Sequence, residues 1–369
     1  MNMTIHFVDL DAQYQTIKNE VRTAIDGILE SKDFIHGKSV EMFSKNFSTA
    51  QGSKYTVGCA NGTSAITVAL RALNVGPGDE VITVANSFFA TPEAIAEVGA
   101  KVVFVDCEAD TYSIDVSQIE KKITSKTKAI IPVHLYGNPV DMDALMKVAH
   151  KHKLHVVEDC AQAHLATWNG KGAGTFGDMG TFSFYPGKNL GAYGDAGAIT
   201  VQDEKLHQLT AMHVNHGRTK KYEHDFCAGN FRMDGIQAAV LDVKLKYINK
   251  WTESRRDLAQ TYESILKPRN VKTITVKPNA KCVYHIYLVE VSNRDEVMEH
   301  FKKLDIGCGV HYPIPLHLQP ALKHLEYKKG DFPVTEKAAE RILSLPMYAE
   351  LTNEEVKKVC EELLKVAKF

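Results

Sequence analysis

The sequence predicts an α/β protein with a large domain, a mainly parallel sheet between helices, followed by a smaller C-terminal α+β domain. From about Lys54 to Val201, short β-branched runs alternate with segments of helical period, the pattern of a strand–helix–strand fold. The strand centres are apolar throughout, as expected of strands buried on both faces. The chain has 369 residues, more than one hydrophobic core usually serves, so a large domain of roughly 200 to 250 residues and a smaller one are expected. We place them at 1–250, with an N-terminal helical segment, and 251–369.

Taken in order, Tyr55-Thr56-Val57 reads as a strand, Thr63 to Leu73 as a helix and Glu80 to Val84 as a strand. Helical Thr91 to Glu97, strand Lys101 to Val105, helical Val116 to Ile123, strand Ala129 to Val133, helical Met142 to His152 and strand His155 to Val157 follow. Right-handed crossovers are expected between them. After Asp178 the runs Gly180 to Phe184 and Ala198 to Val201 leave no room for a crossover helix, so an antiparallel strand is expected there. Asp234 to Tyr247 reads as a long helix leading out of the large domain. Pro77-Gly78-Asp79 is a turn signal.

Charge excludes some classes of partner. The formal net charge is −1 and the pI about 7.0, so no global field recruits nucleic acid or an anionic membrane, and an anionic ligand must be met by local groups. Met1 to Leu10 lacks an apolar core segment, and no run of about eighteen apolar residues occurs, so neither export nor a membrane is expected. The seven cysteines are scattered and contain no C-x-x-C pair. That suits reduced thiols in a cytoplasm, with neither a disulfide framework nor a bound metal.

Three segments could carry chemistry. Asn61-Gly62-Thr63-Ser64-Ala65 joins a strand to a helix and is either an anion site at the helix start or an ordinary N-cap. Glu158-Asp159 ends an apolar strand with two carboxylates on opposite faces, so one must leave the core for a cleft or a partner. An acid in that place could pair with a heterocyclic nitrogen, or cap a loop. Thr181 through Gly191 holds one lysine, Lys188, among aromatics and glycines. Dehydrated there, its amine would lose its proton more easily and could form a Schiff base with an aldehyde; the plain alternative is a surface lysine beside a glycine turn.

Together with Gly78 to Ile82, Val133-His134-Leu135-Tyr136-Gly137 and Glu158 to His164, these segments resemble the DegT/StrS-type sugar-nucleotide aminotransferases over nearly the whole chain. These are fold-type I pyridoxal-phosphate enzymes, and the resemblance implies their large-domain sheet of the seven-stranded type. The resemblance implies that Lys188 carries the cofactor as a Schiff base and then serves as acid and base, and that Asp159 pairs with the pyridine nitrogen. It implies a phosphate cradle of Gly62, Thr63 and Ser183, with Gln162 near the ring's phenolic oxygen and Phe88 stacked on the ring. Asn230, in Gly229-Asn230-Phe231-Arg232, would reach the phosphate of the neighbouring subunit, which implies a homodimer. Substrate contacts would come from Tyr185, Arg218, Lys220, Lys221, Tyr222, His311, Tyr312 and His317. The two histidines flank prolines, which argues against a helical metal pair.

The implied reaction moves an amino group from L-glutamate to a keto sugar linked to a nucleotide, with dTDP as the expected carrier. Phe7 to Tyr14 and the His311 to His317 loop resemble enzymes acting at sugar C-3 more than at C-4. The product would be an amino sugar for a lipopolysaccharide or S-layer glycan or for an antibiotic. Three other readings compete with this one. Dehydratases of the same family carry histidine at the position of Lys188. An NAD-dependent oxidoreductase would need G-x-G-x-x-G where this chain has Asn61-Gly62-Thr63-Ser64-Ala65-Ile66. A sensor that lost the chemistry would have little reason to keep Lys188, Asp159 and Ser183 together.

Overall fold

The computed structural model describes residues 4–369; the first three residues of the expected 1–250 domain lie outside them. Two helices lead, α1 (Leu10–Ser31), capped by the Asp9 side chain, and α2 (Lys38–Gln51). The alternating region then runs β1 (Tyr55–Cys59), α3 (Gly62–Ala72), β2 (Glu80–Val84), α4 (Ala90–Glu97), β3 (Lys101–Val105) and α5 (Val116–Ile119). It continues with β4 (Thr127–Ile131), α6 (Met142–His152), β5 (His155–Asp159), two short strands β6 (Thr167–Trp168) and β7 (Lys171–Gly172), then β8 (Met179–Ser183) and β9 (Gly197–Val201).

Seven of these strands form one sheet in the order β1-β9-β8-β5-β4-β2-β3. Neighbours are parallel except where β9 lies between β1 and β8, antiparallel to both. The β9 reversal follows from the short 184–196 connection, which returns directly from Ser183, paired with Gly197. Along each strand, successive residues enter different cores. Val81, Phe104, Ala129, Ile131 and Val157 pack with α3 and α4, whereas Ile82, Val103, Val105, Ile130 and Val156 pack with α6. Covering on both faces is why these strands read as continuous apolar runs.

After α7 (Glu204–Val214) come a two-stranded hairpin, β10 (Arg218–Lys220) with β11 (Glu223–His224), and α8 (Gly235–Leu245). The helix expected over Asp234 to Tyr247 is α8, which stops at Leu245, and after Lys246–Tyr247 a second helix begins, α9 (Ile248–Leu266). Beyond it, β12 (Ala280–Lys281) joins β6, and β13 (Tyr287–Glu290), α10 (Arg294–Lys303), α11 (Pro333–Arg341), β14 (Ile342–Leu345) and α12 (Asn353–Val366) complete the chain. The antiparallel β13–β14 pair shares a core with α9, α10 and α12.

A single cut at 250/251 does not separate the two cores. Ile5 bridges to Ile306 and packs with Val297, Leu343 and Val359 of the C-terminal core. In the opposite direction, Leu316, Leu322 and Phe332 pack into the core beside α3 and α4. Each of these segments buries its apolar residues against the other layer, a choice that hydrophobic pattern along the chain does not record. No helix among the described residues is long and apolar enough to cross a membrane.

Candidate active site

The carboxyl ends of β1, β2, β4, β5 and β8 open into a cavity of about 750 Å³, where the fold class places its ligands. Of the residues singled out from sequence, Gly62, Thr63, Phe88, Asp159, Gln162, Ser183, Tyr185, Lys188, His311 and Tyr312 line it.

At the β1 end, both readings of the Asn61 segment hold. The Asn61 side chain caps α3 by accepting from Ser64 N–H at 2.8 Å. The N–H groups of Gly62 and Thr63, ahead of the first intrahelical bond, have no acceptor among the described residues and lie at the cavity. Ser183 stands directly across. A Cβ on Gly62 would come within 2.6 Å of Ser183 Cβ, so only glycine lets the α3 start approach β8 this closely.

Asp159 and Glu158 part as the strand period requires. The buried Asp159 carboxylate faces the cavity, accepting from Thr91 Oγ1 at 2.8 Å and from Ala161 N–H at 3.1 Å. Burial raises its pKa, and the Thr91 and Ala161 hydrogen bonds and the Lys188 charge oppose that rise. Glu158 turns the other way and accepts from the N–H groups of Gly174, Phe176 and Gly177. His134 accepts from Val140 N–H at Nδ1, so its Nε2 carries the proton donated to Glu158 at 3.0 Å. His134, Glu158 and Cys160 are close enough to suggest a metal centre. The His134 and Glu158 polar atoms are instead committed to this hydrogen-bond network, which holds the loop after β5.

Lys188 sits on the turn between β8 and β9, its N–H bonded to Tyr185 C=O at 2.8 Å. Its amine has no hydrogen-bond partner among the described residues. Burial lowers its pKa to about 8, against the attraction of Asp159. Such an amine is available as a nucleophile and proton carrier near neutral pH.

The remaining walls are aromatic and polar. Phe88 is 56% exposed, its ring 5.6 Å from that of Tyr312. Gln162 accepts from Tyr136 N–H at 2.6 Å and donates to Tyr312 Oη at 3.2 Å. Tyr136 holds a left-handed φ of 61° and donates its hydroxyl to His311 C=O at 2.5 Å, which ties the segment after β4 to the His311 loop. Phe7 stacks on His311 at 5.5 Å. Burial and the Lys188 charge bring His311 down to about 4, so its imidazole is neutral.

Other expected contacts lie elsewhere. His317 is buried outside the cavity, 3.0 Å from Glu336 and against the Phe332 ring. Arg218, Lys220, Tyr222 and Asn230 do not line the cavity of their own chain; Lys220, Tyr222 and Asn230 are exposed. Sequence reasoning missed Thr91, which anchors Asp159 across 68 residues with no local signal. It also missed Asp195 and Glu97, which line the cavity.

These groups fit pyridoxal phosphate: an unpaired amine for its aldehyde, a carboxylate for its ring nitrogen, and N–H and hydroxyl donors for its phosphate. Residues 15–364 match the DegT/DnrJ/EryC1/StrS aminotransferase family. The chain belongs to that family. It is a pyridoxal-phosphate-dependent aminotransferase with the fold-type I architecture. It is 44% identical over 371 residues to a Geobacillus stearothermophilus protein named pleiotropic regulatory protein, covering 100% of this chain and 99% of that one. It is 41% identical over 357 residues to dTDP-3-amino-3,6-dideoxy-alpha-D-galactopyranose transaminase of Aneurinibacillus thermoaerophilus, covering 97% and 98%. Among solved structures, S. venezuelae DesV in complex with a ketimine intermediate superimposes with a TM-score of 0.96 at 37% identity over 98% of each chain.

Proposed function

We propose that this aminotransferase takes the amino group of L-glutamate and passes it to the C-3 keto group of a dTDP-linked 6-deoxyhexose, giving a 3-amino-3,6-dideoxy sugar nucleotide. The observation that carries the reading is full-length similarity to a transaminase named for a dTDP-3-amino-3,6-dideoxy sugar, in a chain whose cavity is lined by both Lys188 and Asp159. The cofactor supplies the aldehyde that takes up the amino group and the sink for the electrons released when the donor loses its α-proton.

In this reading the amine of Lys188 would hold the cofactor and, once freed of it and uncharged, would carry the donor's α-proton one position along. Asp159, steadied by Thr91 and Ala161, would keep a proton on the ring nitrogen. Gly62, Thr63 and Ser183 would hold the phosphate, Phe88 would cover the ring, and Gln162 would meet the ring's oxygen substituent. The donor would end as its 2-keto acid, its nitrogen passed to the sugar.

The reading includes a homodimer. The cavity lining has one lysine or arginine, Lys188, against Glu97, Asp159 and Asp195. A diphosphate or a dicarboxylate therefore needs cations from outside this lining. Arg218 and Lys220, on the β10–β11 hairpin, together with Asn230, would enter the partner's cavity, while Tyr185, His311 and Tyr312 meet the sugar from within. The unpaired cysteines support a cytoplasmic location.

The test is absorption between about 300 and 500 nm, followed by turnover, because a lysine Schiff base is coloured and reducible. Glutamate should bleach a band near roughly 400 nm, and borohydride should fix the cofactor to Lys188. A dTDP-3-keto-6-deoxyhexose should then restore the band, and mass spectrometry should find the amino sugar. Restoration by the 4-keto isomer alone would move the chemistry to C-4. A protein that stays colourless with added cofactor would reduce the chain to a regulatory role.

A further inference from the structure

The turn that carries Lys188 is anchored from outside itself. It is closed at its base by hydrogen bonds from Ala192 N–H to Phe184 C=O and from Phe184 N–H to Ala196 C=O, each 2.8 Å. It is so tight that a Cβ on Gly191 would meet Pro186 O at 2.2 Å. Asn189, next to the lysine, donates to Val283 C=O at 3.0 Å. The far limb, Gly191 to Gly194, is held by α8. Gln237 accepts from Tyr193 N–H at 2.9 Å. Two turns further along the same helix face, Lys244 donates to Gly191 C=O at 2.7 Å, its ammonium 4.5 Å from the centroid of the Tyr193 ring.

Lys244 is 1% exposed, and Gly191 C=O is its hydrogen-bond acceptor among the described residues. Burying an ammonium with one hydrogen-bond acceptor, one aromatic face and only the unbonded charge of Glu350 to offset desolvation costs more than burying an unbranched apolar side chain of similar length. Packing alone is therefore a poor account of a lysine at this position. A charge-assisted hydrogen bond has a direction that apolar packing lacks, and this one points at the backbone three residues beyond Lys188.

We propose that Lys244 is a positioning residue for Lys188: by gripping Gly191 C=O and the Tyr193 ring from α8, it fixes the turn so that the Lys188 amine is presented to the cavity. The functional half of this inference rests on Lys188 being the reacting amine; the mechanical half does not. Lys244 touches neither donor nor acceptor and acts only through the turn.

The full-length protein is compared as wild type, Lys244→Met and Lys244→Arg, with and without cofactor. Amide hydrogen exchange is followed by mass spectrometry over residues 186–194, and the glutamate half-reaction is followed beside it. Lys244→Met should exchange faster in that segment alone, by about ten- to a hundredfold, the usual effect of losing a charge-assisted hydrogen bond on a local opening. The rate constant of the half-reaction should fall by a similar factor with the half-saturating glutamate concentration little changed, and Lys244→Arg should recover most of both. Local exchange that rises while the half-reaction stays at the wild-type rate would overturn the functional half. Unchanged exchange over 186–194, or acceleration spread evenly through the chain, would overturn the whole proposal. Should Lys244→Met fail to fold, Tyr193→Leu, at a residue 38% exposed, removes the aromatic face and leaves the hydrogen bond. A wild-type exchange profile in that variant, with unchanged half-reaction kinetics, would be equally fatal.

Discussion

Replacing Lys188 with methionine should make the cofactor-free protein more stable, and only below alkaline pH. The amine is brought from an ordinary 10.5 down to about 8 by burial, which at about 1.4 kcal/mol per pH unit is roughly 3 kcal/mol of penalty on the charged form. The side chain stands in an open cavity and is only partly buried over its whole length, so water reduces that figure, and we expect about 1–3 kcal/mol. The sign follows from proton binding. With the folded pKa depressed, the unfolded chain binds more protons between about 8 and 10.5, and wild-type stability rises with pH across that window. Below about pH 8 the penalty is present in full; by about pH 10.5 it has vanished. Urea unfolding of both apo-proteins at pH 7 and pH 10.5 measures it: the methionine variant should lead at the lower pH and lose its lead at the higher. A variant that is less stable at pH 7, or a difference independent of pH, would refute the claim that a functional amine is held there at a cost in stability.

Other outcomes follow from the same geometry. Lys188→Ala should abolish transamination and the visible cofactor band; turnover near the wild-type rate would show that another lysine reacts. Asp159→Asn keeps the shape of the carboxylate but not its charge, so turnover should fall far more than bound cofactor, and equal kinetics would remove Asp159 from the mechanism. Gly62→Ala forces the α3 start away from Ser183 and should weaken cofactor binding about tenfold or more in an absorbance titration of the apo-protein, whereas unchanged affinity would show the cradle lies elsewhere. His317→Leu leaves Glu336 without its imidazole partner and should lower stability by about 1–3 kcal/mol, while the glutamate half-reaction proceeds at the wild-type rate. A selective loss of activity toward the sugar would return His317 to the substrate.

By itself the sequence determined the α/β class, the strands Glu80–Val84 and Lys101–Val105 and the helix Met142–His152 to the residue, and the reversal after Ser183. All of these are set by local period, apolar runs and connection length, which are written along the chain. It also determined that one of the Glu158–Asp159 pair must leave the core, since strand geometry forbids a shared face. Tertiary structure decided which one. Asp159 faces the cavity because β4 and the 174–177 loop bring His134 and three N–H groups to Glu158 on the other side. It likewise took His317 into a buried pair with Glu336 while leaving His311 at the cavity beside Phe7, although the two histidines share one proline-rich segment. Thr91 on Asp159 and Lys244 on Gly191 join residues 68 and 53 positions apart. Such contacts depend on which faces meet when layers pack, and no periodicity along the chain encodes that meeting.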